Sequence, residues 1–315
     1  MNEVNDVQPT SLKHLESDSQ KAMHEMVRVA LDVCFQDSQR FPHASLVGSP
    51  GLGKSVLANV IASELCVPFK EVLGQSLRTP ADLNALLLGA TEKSIVFVDE
   101  SDTLPIPIQT ALYLALDKKM LFLSSGGSVQ SLPLADFTLL LATTEEYGML
   151  QPLRDRCRLT LRFQFYSEED LVRMIRNRAK NLNWSIDPWC VAPIARRSRG
   201  TPRIAFNLLQ SCRLVSRSEG EDTIRPVHMR KAFTLSGIDS LGLNVATDLK
   251  YLTLLLEGEK PVNVLASHLS LPLRTLTSVI EPFLIRSGLM EKGKQSKRYL
   301  TPKGKEHLTG GLTNE

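Results

Sequence analysis

The chain has 315 residues, 43% hydrophobic and 23% charged, with a formal net charge of +3. This composition suits a soluble globular protein of two or three domains. The longest apolar runs, Leu112–Leu116 and Phe137–Ala142, fall far short of the roughly 18 residues of a membrane span, so no membrane partner is expected.

The start, Met1-Asn2-Glu3-Val4-Asn5-Asp6, lacks the basic n-region and apolar core of a signal peptide. Cys34, Cys66, Cys157, Cys190 and Cys212 are scattered, without a C-x-x-C pair. Zinc and a disulfide framework are therefore not expected, and the reading is a cytoplasmic protein.

Residues 1–19 are polar and poor in large apolar side chains, and a mostly disordered tail is expected there. From Lys21, a helix is predicted by Met23, Met26, Val27, Ala30, Leu31 and Cys34. A short apolar strand, Ala44–Val47, then runs into Gly48-Ser49-Pro50-Gly51-Leu52-Gly53-Lys54-Ser55, which fits G-x-x-x-x-G-K-[ST]. Val56 to Leu65 has helical spacing, so the loop has the strand–loop–helix setting of a phosphate-binding P-loop. Its N–H groups and the positive end of the helix would cradle phosphates. Lys54 would reach the β- and γ-phosphates, and Ser55 would ligate Mg²⁺. ATP and Mg²⁺ are the expected cofactors.

A second strand covers 67–73, and Thr79-Pro80 starts a helix with Thr79 as N-cap. The strand Ser94–Val98 ends in Asp99-Glu100, about 45 residues after Lys54. This is the Walker B pattern. Asp99 would hold Mg²⁺ and Glu100 would polarise the attacking water. A strand ending in a solvated acidic turn gives the same letters. A helix from Gln109 to Asp117 precedes a predicted β-hairpin, 120–132, around Gly126-Gly127. The strand Phe137–Ala142 ends in Thr143-Thr144, where the Thr144 hydroxyl could orient the lytic water or touch the γ-phosphate; without the surrounding motifs it would read as an ordinary strand-terminating Thr. Leu153-Arg154-Asp155-Arg156 precedes a final strand, Leu159–Phe165. In ring-shaped ATPases an arginine here reaches a neighbour's site, an effect worth about 10³–10⁵ in rate. Elsewhere such turns are solvated surface.

From Ser167 to about Ser236 the pattern is helical only, interrupted by Arg199-Gly200-Thr201-Pro202-Arg203. Arg203, at a helix start, could fold back on the phosphates; a surface arginine there, slightly disfavoured by the helix dipole, gives the same letters. Residues 241–315 carry ten Lys/Arg against seven Asp/Glu. Helices are predicted at 248–256, 262–269 and 272–286, then strands at 289–292 and 297–301. Three helices and a basic hairpin make a winged helix. Lys292, Lys294, Lys297, Arg298, Lys303 and Lys305 would meet DNA phosphates. Winged helices that bind protein share the pattern.

The succession of parts resembles the RuvB family of AAA+ Holliday-junction motors, over roughly residues 20–308. The most specific pieces are Gly51-Leu52-Gly53-Lys54, Pro152-Leu153-Arg154-Asp155-Arg156 and Arg199-Gly200-Thr201-Pro202-Arg203-Ile204-Ala205. The resemblance implies an α/β fold: an AAA+ P-loop parallel-sheet domain (20–165), an all-α lid (166–240) and a C-terminal winged helix (241–315). It implies that Lys54 and Ser55 are Walker A, Asp99 and Glu100 Walker B, and Thr144 sensor 1. Arg156 corresponds to the arginine finger and Arg203 to sensor 2. Its implied partners are duplex or four-way-junction DNA, further copies of the chain in a hexameric ring, and a RuvA-like protein on the 120–132 hairpin.

The chain departs from the family pattern in four places. Asp99-Glu100-Ser101-Asp102-Thr103 replaces Asp-Glu-Ile-His-Arg. Leu15-Glu16-Ser17-Asp18-Ser19-Gln20 replaces the adenine-contacting Arg-Pro…Ile-Gly-Gln segment. The hairpin is shorter, and lysines replace arginines in the wing. The implied function is ATP-driven translocation of duplex or branched DNA. The alternative is an ATP-dependent DNA-binding switch or loader that recruits a partner.

Overall fold

The computed structural model describes residues 9–125 and 128–310, without the side chains of 122–125 and 128–129. Two compact units emerge. One holds the described residues up to Asp170 together with Thr201–Arg203. The other holds Leu171–Gly200 and the chain from Ile204 onward.

The first unit runs α1 Lys21–Gln36, β1 Ala44–Val47, α2 Lys54–Leu65, β2 Phe69–Leu73, α3 Pro80–Leu88, β3 Ile95–Asp99, α4 Ile106–Lys118, β4 Met120–Ser125, β5 Ser128–Pro133, β6 Thr138–Thr143, α5 Gln151–Arg154 and β7 Leu159–Arg162. Five strands form a parallel sheet in the order β2-β3-β6-β1-β7. Helices cover both of its faces, which explains why β3 and β6 are apolar without alternation. Ile95 and Phe97 pack with α1 and α2, while Val96 and Val98 pack with α3 and α4. Thr79 caps α3 through a capping box with Asp82, and Pro80 takes the first turn. β4 and β5 form the expected separate antiparallel hairpin, whose Gly126-Gly127 turn lies outside the described residues.

The expectation of a disordered tail over 1–19 needs correction from about residue 11 onward; residues 1–8 lie outside the described set. Leu12 is buried against the α1–α2 side of the core. The Ser11 hydroxyl and the Leu12 N–H donate to Glu64 at 2.7 and 2.8 Å. The backbone N–H groups of Asp18 and Ser19, and the Ser19 hydroxyl, donate to the buried Asp170 carboxylate. Gln20 pairs its side-chain amide both ways with the Gln164 backbone. Composition suggests a tail because the binding groups are polar, yet each meets a specific partner more than 50 residues away.

The second unit contains α6 Glu168–Asn181 from Leu171 onward, then β8 Ser185–Ile186, α7 Pro188–Arg197, α8 Pro202–Ser218 from Ile204 onward, β9 Thr223–Ile224 and α9 Pro226–Leu235. The two-residue parallel pair β8–β9 interrupts what the sequence presents as helices alone. Next come α10 Lys250–Leu256, β10 Lys260–Pro261, α11 Val262–Leu269, α12 Leu273–Thr275, α13 Glu281–Arg286, β11 Met290–Lys292, β12 Lys297–Leu300 and α14 Pro302–Gly310. A π-helical stretch, Leu276–Ile280, joins α12 to α13. It ends just before Pro282, which has no N–H to continue the ladder. β10 pairs with β12, so the wing is a three-stranded sheet, one strand more than expected.

Arg199 stitches the helical and winged segments within this unit. Its guanidinium donates to Gly242 O and, at 2.5 Å, to the buried Asp248 carboxylate. It also stacks on Phe283, which Arg286 flanks in turn.

Candidate active site

Strand ends meet at the carboxyl edge of the sheet, where open α/β folds bind ligands. The loop 48–53 leaves β1 there. Gly48 N–H donates to Thr143 O at 3.2 Å, fastening the loop to the end of β6. A Cβ on Gly48 would lie 2.8 Å from Phe163 Cβ, so the chain just past β7 also presses on the loop. Ser49 is half-buried, Pro50 is exposed at the turn of the loop, and Leu52 anchors it in the core at 1% exposure. The Tyr166 hydroxyl donates to Leu52 O at 3.3 Å. Gly53 is left-handed (φ +100°) and hands the chain to α2.

Lys54 is 8% exposed, and its ammonium donates to Gly48 O at 2.6 Å and Ser49 O at 3.1 Å. Burial lowers its pKa, and the Asp99 charge opposes that shift. The Ser55 hydroxyl donates to Asp99 Oδ2 at 3.3 Å, uniting the two expected Mg²⁺ residues. Val56, one residue on, is partly exposed on α2.

Glu100 follows with its backbone in the left-handed region (φ 52°) and its side chain exposed. That conformation is uncommon for a residue with a Cβ and clusters at functional turns. Arg203 approaches from the Thr201–Arg203 segment of the same unit. Its N–H donates to Gly51 O at 3.4 Å, and its charge acts on Lys54.

Thus Lys54, Ser55, Asp99 and Arg203 converge on one loop, with Glu100 beside Asp99. Thr144 stands exposed just beyond β6. Arg156 is elsewhere: its guanidinium is paired with Asp117, donates to Pro152 O at 2.7 Å, and lies 5.3 Å from the Tyr113 ring centroid. Contacts that the sequence does not show surround the loop and the end of β6. Tyr166 carries no motif, and Thr143 and Asp102, visible as letters in the Thr143-Thr144 strand end and the Walker B turn, give no sign that they bond to each other.

The candidate DNA surface divides. Lys294 and Lys305 are exposed. Lys292 lies 3.4 Å from Glu281 and Lys297 lies 3.8 Å from Glu259. Lys303 donates to Ser287 O at 2.8 Å. Arg298 must be corrected: it is only 6% exposed and donates to both oxygens of the buried Glu281, at 2.9 and 3.0 Å. It points inward from β12 with Leu300, so it holds the wing together instead of facing solvent.

Comparison with known proteins covers the whole arrangement. Residues 7–163 match the family described as Holliday junction DNA helicase RuvB P-loop domain. Residues 166–239 match the RuvB AAA lid domain, and 240–309 the RuvB C-terminal winged helix domain. Among curated relatives is the Holliday junction branch migration complex subunit RuvB of Nitratiruptor, 35% identical over 280 residues, spanning 87% of this chain and 83% of that one. The protein of the same name from Prochlorococcus marinus is 35% identical over 298 residues, with 92% and 84% covered. The solved Thermotoga maritima RuvB Holliday junction branch migration motor superposes with a TM-score of 0.82 at 30% identity, covering 96% of this chain and 98% of that one.

Proposed function

The chain belongs to the RuvB family, and from that premise we propose how its residues divide the work of an ATP-driven motor on branched DNA. It is an ATPase of the Holliday-junction branch-migration class. The observation that carries the division of labour is the convergence of Lys54, Ser55, Asp99 and Arg203 on the loop 48–55.

The triphosphate of ATP lies along the loop, bound by its N–H groups and the N-terminal end of α2. Lys54 and Arg203 supply positive charge to the β- and γ-phosphates. Ser55 and Asp99 bring a hydroxyl and a carboxylate together, a hard-oxygen pair that fits Mg²⁺. When bound, Mg²⁺ would neutralise charge on the phosphates. Glu100 orients and polarises water, and Thr144 contacts it or the γ-phosphate. Arg156 serves the site of a neighbouring copy in a hexameric ring. Lys294 and Lys305, assisted by Lys292, Lys297 and Lys303, hold DNA phosphates. The β4–β5 hairpin receives a RuvA-like partner, and the protein works in the cytoplasm. The switch-or-loader alternative gains no support from these relatives, whose names describe branch-migration subunits.

Steady-state ATP hydrolysis with and without four-way-junction DNA tests this reading. Lys54→Ala and Glu100→Gln should each abolish DNA-stimulated turnover, with Glu100→Gln retaining ATP binding. Unchanged turnover in both would sink it.

A further inference from the structure

We propose that Asp102 is a positioning residue for hydrolysis, acting through Thr143 to fix the strand end that carries Thr144. The proposal rests on the ATPase reading above. Asp102 lies in the short helical turn Ser101–Thr103, two residues past Glu100, and is half-buried. Its Oδ1 accepts the Thr143 hydroxyl at 2.5 Å. Thr143 is 1% exposed and ends β6. The same Thr143 oxygen accepts the Glu145 N–H at 2.9 Å. One hydroxyl therefore fixes the backbone on both sides of Thr144.

The preceding residue reinforces the link. Ser101 is fully buried, and its hydroxyl donates to Ala142 O at 2.9 Å. Two consecutive residues of the Walker B turn thus grip two consecutive residues of β6. On the other side Gly148 closes over Asp102: a Cβ there would lie 3.0 Å from Asp102 Cβ.

Where the family pattern has histidine, this chain has a carboxylate, which accepts hydrogen bonds and does not donate them. That commits the Thr143 proton to Asp102 and leaves its oxygen for Glu145. Removing the acceptor strands a buried hydroxyl donor and releases the turn bearing Thr144. Misplacement of this kind lowers kcat more than it weakens ATP binding, because the loop 48–55 is untouched.

The test compares the full chain with Asp102→Ala, Thr143→Val, the double variant and Asp102→Asn. Readouts are DNA-stimulated ATPase kinetics, binding of a fluorescent ATP analogue and thermal unfolding. Each single truncation should lower kcat by about tenfold or more, leaving KM within about twofold. The double variant should be no worse than the worse single one, and Asp102→Asn should recover most of kcat through its amide oxygen. Unchanged kcat, additive losses, or an Asn variant as impaired as Ala overturns the proposal. If Asp102→Ala does not fold, Thr143→Ser against Thr143→Val decides: recovery by Ser supports the link, and equal loss overturns it. Wild-type turnover with silent variants overturns this proposal alone. Absence of any turnover sensitive to Lys54→Ala overturns the ATPase reading and this proposal with it.

Discussion

Asp117 on α4 binds the guanidinium of Arg156 through both carboxylate oxygens, with Nε donating at 2.9 Å and a second N–H completing the pair. The hydrogen bonds that Arg156 donates to Asp117 raise the Arg156 pKa and lower that of Asp117. Arg156 therefore rests on its own chain in a partly exposed pair that is cheap to open. If it acts in the site of a neighbouring copy, Arg156→Ala should reduce turnover by about 10³. Mixing Arg156→Ala with Lys54→Ala chains should then restore part of the activity, because mixed neighbours combine one intact loop with one intact arginine. Steady-state ATPase of the mixture checks this; a mixture as inactive as its parts would count against action between copies.

Gly51 is constrained twice. Its φ is +77°, and a Cβ there would meet Arg203 Cβ at 2.8 Å and Thr201 Cγ2 at 3.0 Å. The left-handed backbone alone costs a residue with a Cβ about 1–2 kcal/mol. A loop that relaxes to shed this strain must be forced back to its present shape on binding, so Gly51→Ala should weaken ATP affinity by up to about tenfold, since about 1.4 kcal/mol is a factor of ten. Titration with a fluorescent ATP analogue measures it. Wild-type affinity would mean that the Thr201–Arg203 segment yields without consequence for the site.

The phosphate end of the site is legible in the sequence because its chemistry forces residue types into a fixed spacing. Only a glycine-rich turn followed by Lys54-Ser55 gives that loop, and an apolar run ending in Asp99 gives its neighbour. Other features depend on partners far apart in the chain. Arg298 resembles a surface cation because its partner, Glu281, lies 17 residues away on another element. The segment 11–20 resembles a tail because Glu64, Gln164 and Asp170 are remote. Asp102 stands out only as a departure from the family pattern, because nothing local points to Thr143. Strands of two residues, such as β8 and β10, are too short to show a period.

His43 sets an acid limit on the first unit. Its Nδ1 accepts the Leu139 N–H at 2.8 Å, which requires the unprotonated nitrogen. Burial, followed by the nearby Arg40 charge, lowers its pKa to about 3. Between that value and the ordinary value near 6.5 the unfolded chain binds a proton that the folded one refuses. Stability therefore falls as pH drops through about 6.5, with a slope of at most about 1.4 kcal/mol per pH unit from this group. Thermal unfolding at three pH values stepped from neutral down to about 5 should show the slope. His43→Asn, whose amide oxygen replaces the Nδ1 acceptor, should flatten it. Parallel curves for the two proteins would assign the acid sensitivity to other groups.

The proposed roles of the wing in stability and in DNA binding fall on different residues and can be tested apart. Glu281 is fully buried, accepting two hydrogen bonds from Arg298 and, at 3.0 Å, one from the Tyr251 hydroxyl. Burial pushes the Glu281 carboxyl up, but the hydrogen bonds from Arg298 and Tyr251 outweigh it and hold the pKa below the usual range. The pair's contribution is present above about pH 4.3 and is lost as pH falls through the depressed folded value. Glu281→Gln leaves Arg298 without its counter-charge and should cost about 3–5 kcal/mol. Arg298→Ala should likewise lower the unfolding temperature. Lys294→Ala and Lys305→Ala should leave unfolding unchanged and weaken DNA binding. For each lysine that neutralises a phosphate, its replacement should reduce the slope of log affinity against log salt by about 0.9. Unfolding curves and salt-dependent binding to duplex DNA, measured on the same variants, distinguish the two roles. If Arg298→Ala keeps its wild-type unfolding temperature but binds DNA more weakly, then Arg298 meets phosphate and its pairing with Glu281 is incidental.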